Sequence, residues 1–295
     1  MVGGLHIACG GSRAHRGRAA ALLVMLVMLV AAGAARGGEP TAASTTDETQ
    51  AEARRNIPMA KIDPAYREAV AAVLEDPTIF RRMPTSVVDC HPDLFTFLAQ
   101  NPEVMVEMWR RLGVSQVSLT RIDERTCRVS DGAGTNCTIV VVEQTCEPGA
   151  QNRIVMLANG AYEGKPFKQP LAAQCVLVLT SGSKEETNGR RFVASRLDAF
   201  IKLDRMGMEL VAKAVHPFVG QTADRNFTDT MLFVSNLSFT AEKRPEAIEQ
   251  LSIEMENLDQ PRRQGLTKVA YECAEAGRKW ELNRARQASL ETSAR

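Results

Sequence analysis

Aromatic side chains are scarce: 2 Trp, 3 Tyr and 10 Phe make up 5% of the 295 residues. Few rings are available to stack on bases or sugars, so the aliphatic residues and the 12 Met have to fill the core. Histidine is scarcer still. Of 4 in all, His6 and His15 precede the apolar N-terminal run, which leaves His91 and His216 for the rest of the chain. No Cys pair has C-x-x-C spacing, so a zinc site is excluded and no metal or cofactor is expected. The sequence contains no G-x-S-x-G elbow, phosphate-binding loop, G-x-G-x-x-G turn or H-E-x-x-H pair. An excess of one charge is also lacking, with 36 Lys and Arg against 35 Asp and Glu. Nothing in that balance draws the chain to nucleic acid, and Arg110/Arg111, Arg190/Arg191 and Arg262/Arg263 are scattered pairs that read as solvated faces.

What is present begins with Arg13, Arg16 and Arg18, followed by an aliphatic run from Ala19 to Ala35 and the small residues Ala32-Gly33-Ala34. That order is a positive region, an apolar region and a peptidase-accessible site, as in a secretory signal. Residues 1–35 are expected to be a cleaved signal or an uncleaved N-terminal membrane anchor, and both place the remainder in the periplasm, the cell envelope or the medium. Any membrane contact is then expected only through residues 19–35. Without residues 1–35 the chain holds 33 basic and 35 acidic side chains, nearly neutral.

Six Cys remain after Cys9: Cys90, Cys127, Cys137, Cys146, Cys175 and Cys273. An even number in an exported chain permits disulfides. Cys127 and Cys137 are equidistant from Gly132 in Ser130-Asp131-Gly132-Ala133-Gly134, which reads as a hairpin loop. A symmetric hairpin sets the two Cβ atoms opposite each other, at the separation a disulfide requires, whereas a one-residue bulge puts them on opposite faces; a Cys127–Cys137 disulfide is one expectation, and free buried thiols or other pairings are the alternative.

Residues 36–56 show no sustained period and read as a flexible tether, with order expected from Ile57. Asp63-Pro64, His91-Pro92 and Asn101-Pro102 have the form of an N-cap followed by a first-turn proline, and each opens a helical period. After Gly113 the period changes to two. Val117/Leu119, Cys127/Val129, Cys137 to Val141, Ile154/Met156, Gln174 to Val178 and Arg191 to Lys202 predict six strands, with gaps too short for crossover helices. Leu203, Met206, Leu210, Val211, Ala214, Val215 and Phe218 then predict a long helix that ends at Pro217 and Gly220. Further helices are expected from Pro245 and around Leu266 to Trp280. The expected fold is α+β: an antiparallel, curved sheet of about six strands on a long helix, with residues 57–240 as the domain and 241–295 as a helical extension packed on it.

Two features look reactive. Asp89-Cys90-His91-Pro92 joins a thiol to an imidazole, but neighbouring side chains on a strand point apart, and a buried Cys beside a helix-starting His-Pro is the simpler reading. Asp198, Asp204, Asp224 and Asp229 contain pairs that suit acid–base hydrolysis if they share a cleft.

The order of strands followed by a long helix, over residues 87 to 220, resembles the helix-grip architecture of START and polyketide-cyclase-like lipid-binding domains. The resemblance lies in element order and carries no residue motif. It implies a pocket between sheet and helix for a lipid or other apolar molecule, with Met206, Leu210 and Phe218 as lining residues. The competing expectations are a structural or protein-interaction role, including self-association, through the amphipathic C-terminal helices, and a carboxylate-based hydrolase. A non-catalytic role is preferred.

Overall fold

The computed structural model describes residues 42–147, 151–163, 169–204 and 216–293. Order begins earlier than the sequence period suggests. The Thr46 hydroxyl caps α1 (Asp47–Arg55) by accepting the Thr49 N–H at 3.3 Å. Within the segment expected to be a tether, Ala53 is buried at 2% exposure. A helix with so few core contacts leaves little periodic trace. The next helix, α2 (Pro64–Glu75), starts where Asp63-Pro64 predicts, with the Asp63 carboxylate accepting the Ala65 N–H at 3.0 Å.

Two four-residue strands follow, β1 (Ile79–Arg82) and β2 (Ser86–Asp89), and then helices α3 (Pro92–Gln100) and α4 (Pro102–Arg111). The six expected strands are all present: β3 (Ser118–Arg121), β4 (Thr126–Ser130), β5 (Thr135–Thr145), β6 (Asn152–Tyr162), β7 (Leu171–Glu185) and β8 (Arg191–Leu203). They form an antiparallel meander, and β1 and β2 both pair with the outer side of β8. The sheet therefore has eight strands instead of six. It is open rather than strongly curled, with β1/β2 at one edge and β3 at the other. The β1 edge is closed locally by an antiparallel bridge between Ser44 and Arg82.

The β4–β5 hairpin overturns the expected disulfide. The Asp131 carboxylate accepts the N–H groups of Ala133 (2.7 Å) and Thr135 (2.8 Å), and the register is centred on Ala133, one position beyond Gly132. Ser130 consequently faces Asn136, Cys127 faces Ile139 and Cys137 faces Val129. The two Cys share a face as diagonal neighbours, roughly 7–8 Å apart for such pairs, too far for a disulfide. All six Cys are free thiols.

Three helices complete the chain: α5 (His216–Lys243), α6 (Pro245–Glu254) and α7 (Gln260–Ser293). Of the helix predicted from Leu203, Leu203 itself closes β8, and Met206, Leu210, Val211, Ala214 and Val215 lie outside the described residues. His216-Pro217, expected at its end, lies within α5, which continues to Lys243. Ala223, Phe227, Met231, Val234, Leu237 and Ala241 form the buried face of α5.

Alternation along the strands supplies both sheet faces with apolar residues. On one face Leu177, Ala199 and Ile201 meet α3, α4, α5 and α7 in the larger core. On the other, Val155, Val176, Val178 and Phe200 meet Val70, Val73 and Leu74 of α2. Phe80 and Phe200 pack there with ring centroids 4.9 Å apart and planes tilted by 48°. Glu103, 3% exposed, ties α4 to β3 and α7 by pairing with Arg121 and Arg262.

Candidate interaction surface

Of the expected pocket-lining residues, Met206 and Leu210 lie outside the described residues, and Phe218 belongs to the first turn of α5, where only the backbone is described. Where α5 meets the sheet in the described part, the space is filled by side chains of the larger core, including Phe227 (6% exposed), Met231 (2%) and Ile201 (5%).

The Asp89-Cys90-His91-Pro92 cluster works as a helix start. The His91 Nδ1 accepts the Asp93 N–H at 3.3 Å and so caps α3, while the His91 N–H donates to the Ser238 hydroxyl at 2.9 Å. Burial holds the imidazole below its ordinary pKa. The Cys90 thiol donates to the His91 carbonyl at 3.4 Å, and burial pushes it up to about 12. A thiol so protonated is a poor nucleophile.

Asp198 and Asp224 do not converge either. Arg81 and Arg82 are successive residues of β1 and point to opposite faces of the sheet. Arg81 forms a two-point pair with Asp224 of α5 on the larger-core face. Arg82 pairs with Asp198 of β8 at 2.7 and 3.0 Å on the opposite face and also reaches Glu52 of α1 at 3.0 Å. Asp198 and Asp224 are thus separated by the sheet, and each is neutralised by a guanidinium. Among the described residues, no group of three His, Cys, Asp or Glu is placed to hold a metal ion.

A polar cleft of about 500 Å³ lies at the tip of the β7–β8 hairpin, between that turn, α5 and α7. The hairpin turns at Asn188-Gly189 as its sequence predicts, with Gly189 at φ 78°. Ser181-Gly182-Ser183-Lys184 lies within β7 and pairs with Phe192 to Ser195. Arg190, expected to be solvated, is held between Asp89 (2.8 Å) and Glu242 (2.7 Å), with its guanidinium 5.1 Å from the Trp280 ring centroid. The Trp280 indole N–H donates to the Asn188 carbonyl at 2.7 Å. Beneath it, Gly277 lets α7 lie against α5, since a Cβ there would sit 2.2 Å from Glu242 Cγ. The cleft is therefore a latch that joins hairpin to helix. Its signal in the sequence, an Arg next to an Asn-Gly turn, has no pattern that marks its partners.

Past this latch, α7 runs on without a core. Leu266, Val269, Ala270 and Cys273 are buried, whereas residues 281–290 are all exposed, with Leu282 at 61% and Leu290 at 70%. The α6 surface exposes Ile253 at 59%, and Tyr271 donates to Glu249 at 2.7 Å. A groove of about 460 Å³ runs between α6 and the first half of α7, lined by Ser252, Ile253, Gln264 and Thr267 among others. Among the described residues, no helix is long and apolar enough to cross a membrane.

No protein family model matches this chain, and no curated protein matches it. Among solved structures, the chain is similar to a conserved protein from Geobacillus kaustophilus, at 13% identity and a TM-score of 0.29, over 52% of this chain and 93% of that one. The fold itself is an open antiparallel sheet flanked by helices.

Proposed function

We propose that the chain is a non-catalytic domain of the cell envelope or periplasm that acts by binding protein through its C-terminal helices. The observation that carries this reading is the α7 arm, a continuous helix whose Leu282 and Leu290 face solvent. Exposed apolar residues on a stretch of helix, residues 281–290, that buries no core residue suit a partner surface. The separate neutralisation of Asp198 and Asp224 and the protonated Cys90 thiol support a non-catalytic role. Export is supported by the basic and apolar order of residues 1–35.

A second reading has support in the element order: membership of the START and polyketide-cyclase-like superfamily, with an apolar ligand near Met206, Leu210 and Phe218. The two readings separate experimentally. A photocrosslinking residue placed at Leu282 in the exporting cell is expected to give a specific protein adduct. Absence of any adduct, together with co-purified lipid found by mass spectrometry, would replace the interaction reading with ligand binding.

A further inference from the structure

We infer that Asn188 is a site of spontaneous covalent modification: its side-chain amide closes on the Gly189 nitrogen and is hydrolysed to aspartate or isoaspartate, and the isoaspartate product opens the latch between the β7–β8 turn and α7.

The dipeptide Asn-Gly occurs twice, at Asn159-Gly160 and at Asn188-Gly189, and both Asn are exposed. Accessibility therefore does not separate them, but backbone setting does. Asn159 lies in β6 between Thr138 of β5 and Gln174 of β7, and Gly160 lies between Cys137 and Ala173. Bringing the Asn159 amide carbon onto the Gly160 nitrogen would pull an extended strand out of two ladders, so the ladders hold this pair apart. Asn188 and Gly189 lie beyond the last β7–β8 pair, Glu185 with Arg191. There the Asn188 Oδ1 accepts the Arg190 N–H at 2.8 Å. That bond folds the side chain back along the main chain and sets its amide carbon over the Gly189 nitrogen. Gly189, at φ 78°, carries no side chain to shield that nitrogen.

In the first step the Gly189 nitrogen gives its proton to hydroxide and bonds to Asn188 Cγ. Negative charge develops on Oδ1, where the Arg190 N–H is already placed as an oxyanion donor. The Cγ–Nδ2 bond then breaks, ammonia leaves with a proton from water, and an imide ring joins the two residues. Water adds to either imide carbonyl: one opening restores the main chain with an aspartate at 188, and the other routes the main chain through the side chain as isoaspartate. The sum is amide plus water to carboxylate plus ammonium, with water as the only co-reactant. The Gly189 N–H must first leave the Glu186 carbonyl, which it meets at 2.8 Å, and this slows the step by no more than about tenfold.

Asn188 also supplies the carbonyl that accepts the Trp280 indole N–H at 2.7 Å. In the isoaspartate product that carbonyl leaves the main chain as a free carboxylate and the turn lengthens by one atom, so the acceptor moves away from Trp280. The new charge falls beside Glu185 and Glu186, which line the same cleft. Both changes push the turn off α7.

Peptide mass mapping of the purified full chain, held native or unfolded in urea in mildly alkaline buffer, tests this. In urea both dipeptides should react. In the native chain Asn188 should convert at its unfolded rate or faster, and Asn159 at least about tenfold more slowly than Asn188. Native conversion of Asn188 tenfold or more below its rate in urea, or equal native conversion at the two sites, would overturn the site. Asn188→Gln should abolish the conversion in its own peptide and leave that of Asn159 in urea unchanged. The isoaspartate form, separated by charge and identified by fragmentation, should show stronger iodide quenching of tryptophan emission than the unconverted chain. Trp109 is 1% exposed, so Trp280 carries that change. Equal quenching would overturn the coupling to α7.

Discussion

His91 shows how one side chain sets a local pH limit. It caps α3 through an unprotonated Nδ1, and the helix N-terminus it faces carries partial positive charge, so protonation removes an acceptor and adds repulsion. Burial holds its folded pKa below the ordinary value near 6.5, with Asp93, Glu272 and Glu242 opposing that shift and Arg191 reinforcing it. The unfolded chain therefore binds the proton first. Stability from this group is complete above the unfolded pKa and is lost as pH falls through the folded one. Urea unfolding of wild type between pH 7.5 and 5 should show a loss on the order of 1 kcal/mol that His91→Asn, which keeps a capping oxygen, does not share. Equal pH dependence in both would contradict the cap. The thiols make a second residue-level case. Among the described residues, Cys90, Cys127, Cys137, Cys175 and Cys273 are buried and only Cys146 is partly exposed. Burial pushes Cys127 and Cys137 up to about 11, so few thiolates form at neutral pH. A thiol reagent followed by peptide mass mapping should label Cys146 first and the other five only on unfolding. Labelling of Cys127 or Cys137 in the native state at the rate of Cys146 would contradict this.

Among the elements, β6 carries the tightest contact in the sheet. A Cβ at Gly160 would lie 2.3 Å from Cys137 Cβ and 2.6 Å from the Asn136 carbonyl oxygen. Neither is the end of a flexible side chain, so the β5–β6 pair would have to move apart. Gly160→Ala should cost about 1–3 kcal/mol in denaturant unfolding, and a neutral effect would show that the two strands are less closely apposed. The elements also show what the sequence could reveal. β3 to β8 were legible because a period of two between turn residues leaves one reading, and the Asp-Pro and His-Pro starts of α2 and α3 combine a capping side chain with a first-turn proline, while α4 is marked by its first-turn proline alone, the Asn101 amide donating back to the Phe97 carbonyl. β1 and β2 were not legible: they are four residues each, contain Arg81 and Arg82, and are split by Pro84, so nothing local separates them from a loop. Their place is set by β8, more than a hundred residues later. In α5 the buried residues recur at helical spacing, but Phe, Thr and Val between Phe227 and Thr240 suit strands as well, and packing decides the outcome. The site was less visible than the fold. The partners of Arg190 lie on two other elements, and an exposed Leu282 has the same letter as a buried one.

At the scale of the whole molecule, the two ends contribute in opposite ways. The sheet has an apolar layer on each face, and residues 47–75 supply the only described helices over the second one, with Val70 and Val73 fully buried against it. Without α1 and α2, Val142, Val155, Val176, Val178 and Phe200 would form a contiguous apolar surface larger than soluble monomers usually expose. Arg82 would lose Glu52, and the β1 edge would lose the Ser44 bridge that now blocks further strand pairing. The arm beyond Asn283 is different, since it buries no core residue. A chain beginning at Thr78 should therefore form aggregates or soluble oligomers that bind a hydrophobic dye, whereas one ending at Asn283 should keep the native spectrum and bind no dye. A soluble, dye-silent protein beginning at Thr78 would mean that the second face does not depend on its helices. The N-terminal segment would then be an attachment to the fold, and the two-faced sheet would not be the unit that folds.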